Sequence, residues 1–304
     1  MLTFSRNELL EHPVAMKKSL FIVLALALLN SGCNTVGLVY RNADWYLQHK
    51  IYGYTSFNAR QKEAIRREVS DYMHWHRKKA LPEYIIFLQN LNGAAQYQGR
   101  LSIREIAQLR EHLLELYKKT MAQAIGPAAE ILSSLDSGQI QELGRNLAEE
   151  NRKQRHEQLD VSRDEYLDKR ADRTIAFLQW LAGDMSEEQE QMVREMSRHL
   201  PVVSDIYIRS REASQAGLIT LLNNHPGKEK IAAYLSSWIL KPEATRSPQQ
   251  QQAIESFELA SDEMAARIHG MLTVKQKVHV NKTISSYIDD MRAENRKAVQ
   301  DHSQ

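Results

Sequence analysis

Apolar residues along this chain recur three and four positions apart, as in Ile65, Val69 and Tyr72, or Ile106, Leu109, Leu113 and Leu116. That spacing places them on one face of an α-helix. No run alternates apolar and polar residues as a strand would. The pattern predicts an all-α fold, an irregular multi-helix bundle of antiparallel hairpins joined by short loops.

Helix starts repeat a finer pattern. It reads "FNARQKEAI" from Phe57, "LSIREIAQL" from Leu101, "LDSGQIQEL" from Leu135, "MSEEQEQMV" from Met185 and "LTVKQKVHV" from Leu272. Each copy has an apolar residue, then Asn, Ser, Asp or Thr, then Gln or Glu three positions later. An aliphatic residue follows four beyond that: Ile65, Leu109, Leu143, Val193 or Val280. This is a capping box, in which the small polar side chain and the Gln or Glu each bond the other's backbone N–H. The copies are spaced 44, 34, 50 and 87 residues apart, too irregular for a solenoid.

The first element differs in kind. Lys17 and Lys18 precede an unbroken apolar run, Leu20 to Leu29, and then "NSGC" with Cys33, the one cysteine of the chain. Ten helical residues rise about 15 Å, half of a hydrocarbon core, so the run suits a signal peptide rather than a membrane span. The basic segment, apolar run, small Ser31 and Gly32, and Cys33 together resemble a bacterial lipoprotein signal. Asn30 stands three before the cysteine, where Leu is usual. The resemblance implies cleavage before Cys33 and acylation there, palmitate included. Two or three acyl chains hold firmly where one binds reversibly. Asn34, rather than Asp, implies an outer-membrane address facing the periplasm. Residues 1–32 are therefore expected to be a signal peptide, with Met16 as the true start. Residues 33–304 are expected to form a single helical periplasmic domain, with a possible internal linker at 240–252, "LKPEATRSPQQQQ".

Without residues 1–32 the net charge is +1, which gives no electrostatic case for nucleic acid. With its cysteine acylated, the mature chain has no disulfide, and packing alone must hold the core.

Three stretches invite a functional reading. The segment from Tyr40 to Trp75 is rich in aromatics: Tyr40, Trp45, Tyr46, Tyr52, Tyr54, Tyr72 and Trp75. They suit either a core beneath a lid helix or a seat for a partner or lipid headgroup. "LPEY" at Leu81 predicts a helix junction with Pro82 at the first helical position, where its missing N–H is harmless. Between Arg145 and Arg173, sixteen of twenty-nine residues are charged, eight of each sign, and no Leu, Ile or Val stands between Leu147 and Leu159. Helices Leu143–Gln158 and Ser162–Leu181 then form either a solvated tip or a polar groove. In the groove, Asn151, Arg152, Arg155, Arg170 and Arg173 would grip an anionic or peptide ligand.

The sequence carries little sign of catalytic chemistry. His74 and His76 lie two apart and point about 200° from each other on a helix, so they cannot share an ion. "HEQLD" at His156 has Asp160 where a zinc-protease helix needs histidine. There is no glycine-rich phosphate loop and no Gly-x-Ser-x-Gly elbow. A metal, a cofactor other than covalent lipid, and enzymatic activity are not expected.

Two resemblances add to this. "YRNADWYL", "WHRKKALPEY", the capping Gln61 and "ENRKQRHEQLDVSRDEYLDKRADRTIAFLQWLAGDMSEEQ" resemble a family of proteobacterial lipoproteins of unknown function (domain of unknown function 6279). That resemblance implies a helical outer-membrane lipoprotein and supplies no activity. "LTVKQ" is similar to the Leu-Thr-x-x-Gln motif of the Spy/CpxP periplasmic chaperones, whose curved hairpin holds unfolded clients. The expected function is a membrane-tethered binding or structural module with an envelope protein or peptide as partner. A Spy/CpxP-like chaperone or stress protein is the alternative, and an enzyme acting on cell wall or lipid is the third.

Overall fold

The computed structural model describes Tyr40 and residues 42–300. Among them stand eleven α-helices and no strand. They are α1 (Ala43–Tyr52), α2 (Ala59–Trp75), α3 (Leu81–Gln96), α4 (Ile103–Ser133), α5 (Ser137–Gln158), α6 (Arg163–Ala182), α7 (Glu187–His199), α8 (Ser204–Leu222), α9 (Lys228–Leu240), α10 (Pro248–Met271) and α11 (Val274–Gln300). The all-α bundle expected from the periodicity is what forms.

All five expected helix starts are capped. Asn58, Ser102, Asp136 and Ser186 each complete a reciprocal box with Gln61, Glu105, Gln139 and Gln189. At α11, the Thr273 N–H donates to Gln276 Oε1 at 2.9 Å, and the Gln276 N–H donates to Thr273 Oγ1 at 3.2 Å. Four of the five following aliphatics, Ile65, Leu143, Val193 and Val280, are buried, and Leu109 is half-buried. Ser247 and Gln250 form a further box at α10, unheralded in the sequence because Arg246 holds the place of the apolar residue.

Helix pairing is nested. The α6–α7 hairpin lies innermost in sequence; α5 packs on α8, α4 on α9 and α10, and α3 on α11. Neighbours also pack, α1 on α2 and α8 on α9, but the most extensive contacts, α3 with α11 and α4 with α9, join helices distant in sequence. At 31 residues, α4 is about 46 Å long and packs on α2, α3, α9 and α10.

The larger core gathers Ile65, Val69 and Met73 of α2, Ile125 and Ala129 of α4, Ile140 and Leu143 of α5, Leu218 and Leu222 of α8, and Ile231 and Leu235 of α9. A second group joins α3, α6 and α11 through Ile85, Ala182, Val280, Ile284 and Ile288. A third joins α6, α7 and α10 through Ile175, Leu178, Val193 and Met264. Half-buried Met291 packs against the larger core, the second group and a further cluster of Ala80, Tyr84, Phe87 and Leu116, a place suited to its unbranched, adaptable side chain.

The junction expected at Leu81–Pro82 is not a break. A π turn, His76–Ala80, carries α2 into α3 without leaving helical geometry. Pro82 has no N–H to give the Lys78 carbonyl, and a proline ring crowds the carbonyl four residues back. The wider π turn accommodates it. Asn295 of α11 then supplies a donor from outside, its Nδ2 lying 2.8 Å from the Arg77 carbonyl and 3.5 Å from that of Lys78. The 240–252 segment contains a single 3₁₀ turn, Pro242–Thr245, and α10 opens at Pro248.

Candidate functional site

Four of the five expected caps meet in pairs. Gln61 and Gln139 are both buried, and each donates from Nε2 to the other's Oε1, at 2.8 and 2.7 Å. The second Nε2 proton of Gln61 goes to the Ser134 carbonyl at 2.8 Å, and that of Gln139 to the Ser56 carbonyl at 2.8 Å. Each Oε1 also accepts the N–H of its own cap residue, Asn58 at 2.9 Å and Asp136 at 3.1 Å. A primary amide has two donors and two acceptor positions, and all are used.

Gln189 and Gln276 repeat the arrangement. Their reciprocal bonds are both 2.9 Å. Gln189 reaches the Met271 carbonyl at 2.9 Å, and Gln276 the Asp184 carbonyl at 2.8 Å. In both pairs the accepting carbonyl lies two residues before the partner's cap. The Gln of "LTVKQ" is therefore locked inside a helix–helix junction, its amide fully bonded.

Most of the aromatic segment is core. Tyr40 is buried, and Tyr52, Tyr54 and Tyr72 pack on the larger core. Trp75 packs with Tyr84 and Phe87 at the start of α3. Trp45 (65% exposed) and Tyr46 (37% exposed) face outward from α1.

Inside that segment sits His76, at the first position of the π turn. The rings of Tyr40, Tyr84, Tyr72 and Trp75 surround it with centroids 5.8, 6.0, 6.2 and 6.3 Å away. Its Nδ1 shares a hydrogen bond with the Tyr40 hydroxyl. Burial, and then the neighbouring Arg77 charge, push the His76 pKa down to about 4, so the ring is neutral at pH 7. Burial raises the Tyr40 hydroxyl above its ordinary value. Arg77 lies over the Tyr40 ring at 5.6 Å and pairs with Asp44 of α1.

Beside this arrangement opens a cleft of about 600 Å³, lined among others by Asp44, Trp45, Gln48, His74, Arg77 and Glu294. Its charges close on one another: Asp44 with Arg77, and Glu294 with Lys297 at 2.6 Å. His74 reaches this cleft while His76 lies in the aromatic surround, as their two-residue separation requires.

The five residues expected to line a groove fall into separate contacts. On α5, Asn151 Nδ2 donates to Gln215 of α8 at 2.7 Å, and its Oδ1 accepts from Arg211 at 2.7 Å. Arg155 pairs with Glu212 of α8 at 2.8 Å, and Arg152 pairs with Glu149 along the exposed side of α5. On α6, Arg170 instead caps the end of α7, donating to the Ser197 carbonyl, to Leu200 at 3.0 Å and to Pro201 at 3.3 Å. Arg173 is exposed. The polar run thus fastens α5 to α8 and α6 to α7. Its partners are remote in sequence, which is why a view confined to residues 145–173 does not find them. Near the same place, burial raises the Glu150 carboxyl above its usual value, with the Tyr54 hydroxyl 3.5 Å away.

Among the described residues no group of His, Cys, Asp and Glu is placed to hold a metal ion, and no helix is long and apolar enough to cross a membrane. His156 and Asp160 are exposed, 4.0 Å apart. Cys33, the expected lipid site, lies outside the described residues, as does the whole of 1–32.

The sequence signals missed two features of the site: the pairing of glutamines and the turn that Asn295 completes. One signal for the pairing was present. Gln occupies the closing position in four of the five boxes, and only an amide can both close its own box and answer a partner.

Compared with known protein families, residues 53–244 match the model of a family of unknown function, DUF6279. The match takes in Gln61, Gln139 and Gln189 and stops before α10 and α11, which carry Gln276 and Asn295. No curated protein and no solved structure matches the chain.

Proposed function

We propose that this chain, which belongs to the DUF6279 family of unknown function, is a lipid-anchored, non-enzymatic binding or structural module on the periplasmic side of the outer membrane. One observation carries the reading. The signal-like cysteine, Cys33, stands seven residues before Tyr40, and Tyr40 is built into the folded body through His76. Seven residues span at most about 25 Å when fully extended, so acylation at Cys33 would hold the bundle close to the bilayer. That geometry suits a module that works at the membrane surface through its helical faces.

The non-enzymatic part is supported by how the polar side chains are engaged. Hydrolysis of cell-wall glycan requires two carboxyl groups facing a cleft with distinct protonation roles. The carboxylates lining the cleft at α1, Asp44 and Glu294, are each closed by a cation of the chain itself. The chaperone alternative leaned on the Leu-Thr-x-x-Gln motif, whose Thr273 and Gln276 are engaged by hydrogen bonds within the junction.

Changing Cys33→Ser tests the anchor. The expected result is a protein released from outer-membrane fractions into the soluble periplasm, with no incorporated palmitate. A variant that still sediments with the outer membrane, or a wild type that takes up no acyl label, overturns the reading.

A further inference from the structure

Trp45, Tyr46, His49 and Lys50 of α1 are exposed, and Lys50 also lies near enough to Glu150 of α5 for its charge to act on that carboxyl. The helix has no buried residue, yet its Ala43, Leu47 and Ile51 pack on the larger core. Those three lie on one side, at successive four-residue steps. Trp45 and His49 point away from that side, and Tyr46 and Lys50 are exposed at its edge. Trp45 stacks on His49 at 5.3 Å with the planes 8° apart, and Lys50 lies over the Tyr46 ring at 5.6 Å. The four therefore form a continuous patch of two aromatic rings, an imidazole and an ammonium group. Asp44, the one carboxylate of α1, is turned away toward Arg77.

We propose that this face of α1 rests in the headgroup layer of the membrane that bears the anchor, with Trp45 and Tyr46 seated at the level of the glycerol backbone and Lys50 against lipid phosphate. The proposal rests on acylation of Cys33. Four arguments carry it. An indole 65% exposed on a folded surface leaves a large apolar area in water. Tryptophan and tyrosine combine an apolar body with a polar N–H or O–H, the pairing that the membrane interface accommodates. Lysine can lay its methylene stem along that layer while its ammonium reaches phosphate. Finally, α1 begins ten residues after Cys33, so the anchor holds this surface within about 35 Å of the bilayer along the chain.

The test uses the full acylated chain reconstituted into vesicles of phosphatidylethanolamine with a minor share of phosphatidylglycerol. Flotation with the vesicles establishes the anchor. Tryptophan emission is then measured with lipids brominated near the carbonyl end of the acyl chain, in the wild type and in Trp45→Phe. The expected outcome is quenching in the wild type that Trp45→Phe largely abolishes, with the circular dichroism of the two proteins alike. A chain that floats without quenching, or whose quenching survives Trp45→Phe, overturns the proposal and leaves the anchor standing. A chain that fails to float removes the anchor and the proposal with it. If Trp45 is unquenched in vesicles but becomes protected from oxidation in intact cells, the face belongs to a protein partner, which also overturns the proposal.

Discussion

The junction between α2 and α5 and the one between α7 and α11 are built alike. In both, two buried glutamines close their own caps and bond each other, and each then reaches the carbonyl two residues before the other's cap. The start of α4 follows the same local pattern but stands alone: Ser102 and Glu105 complete their box at the surface. The comparison separates what a cap does from what a lock does. A carboxylate suffices to cap a helix into solvent, because it need only accept. Joining two caps inside the protein needs a side chain that donates and accepts at once.

The largest expected effect comes from exchanging one kind for the other. Gln139→Glu would turn a carboxylate oxygen toward the Ser56 carbonyl and the Gln61 Oε1, two acceptors, in a buried place. The cost should be about 3–4 kcal/mol at pH 7, in the range for an unsatisfied buried polar or charged group. Gln276→Glu should cost about the same if the two locks are equivalent. Urea unfolding of both variants decides: a loss under about 1 kcal/mol would show the amide pair to be dispensable.

The next test uses acid, to which the amide locks are indifferent. His76 has a folded pKa of about 4 against an ordinary 6.5, so below pH 6.5 the unfolded chain binds the proton more strongly. Stability from this residue is full above about pH 6.5 and is lost progressively as pH falls toward 4, by on the order of 2–3 kcal/mol. His76→Gln should flatten that slope in urea titrations between pH 7 and 4. A slope unchanged in the variant would assign the acid loss elsewhere.

The smallest effect belongs to the lone cap. Hydrogen bonds from the Ser102 side chain and backbone hold Glu105 below the usual carboxylate range. Its contribution is present above the unfolded value and fades as pH drops through the folded one. Glu105→Gln should leave the urea midpoint at pH 7 unchanged and flatten only the most acidic limb. A clear loss at pH 7 would mean this carboxylate is more than a surface cap.

Helix starts were legible because a cap is written within four residues, and all five stood where the pattern put them. Pairing was not, because Gln61 and Gln139 are 78 residues apart and Gln189 and Gln276 are 87 apart. The turn at His76 failed for the same reason. Pro82 announces a disturbed helix, but the donor that lets the chain continue is Asn295, 218 residues from Arg77. Arg170 was recognisable as a polar residue with work to do; that its work is capping α7 depended on carbonyls outside the charged run. As for the candidate surface, the aromatic richness of the first helices could be read directly. Which rings face outward depended on α1 turning Ala43, Leu47 and Ile51 inward.

Nested pairing also bears on how the chain reaches its native state. The α6–α7 hairpin has only four residues between its arms, Gly183 to Ser186, and can form as soon as both are available. Once it exists, the loop that α5 and α8 must close is effectively shortened, and the same holds for α4 with α9, then α3 with α11. Loop-closure entropy grows only logarithmically, by about 0.6 kcal/mol per doubling, but it is lost before distant contacts repay it. Assembly from the innermost hairpin outward avoids meeting that cost in one step. On this route the search begins at the middle of the sequence, and the docking of α11 against α3 is among its closing events.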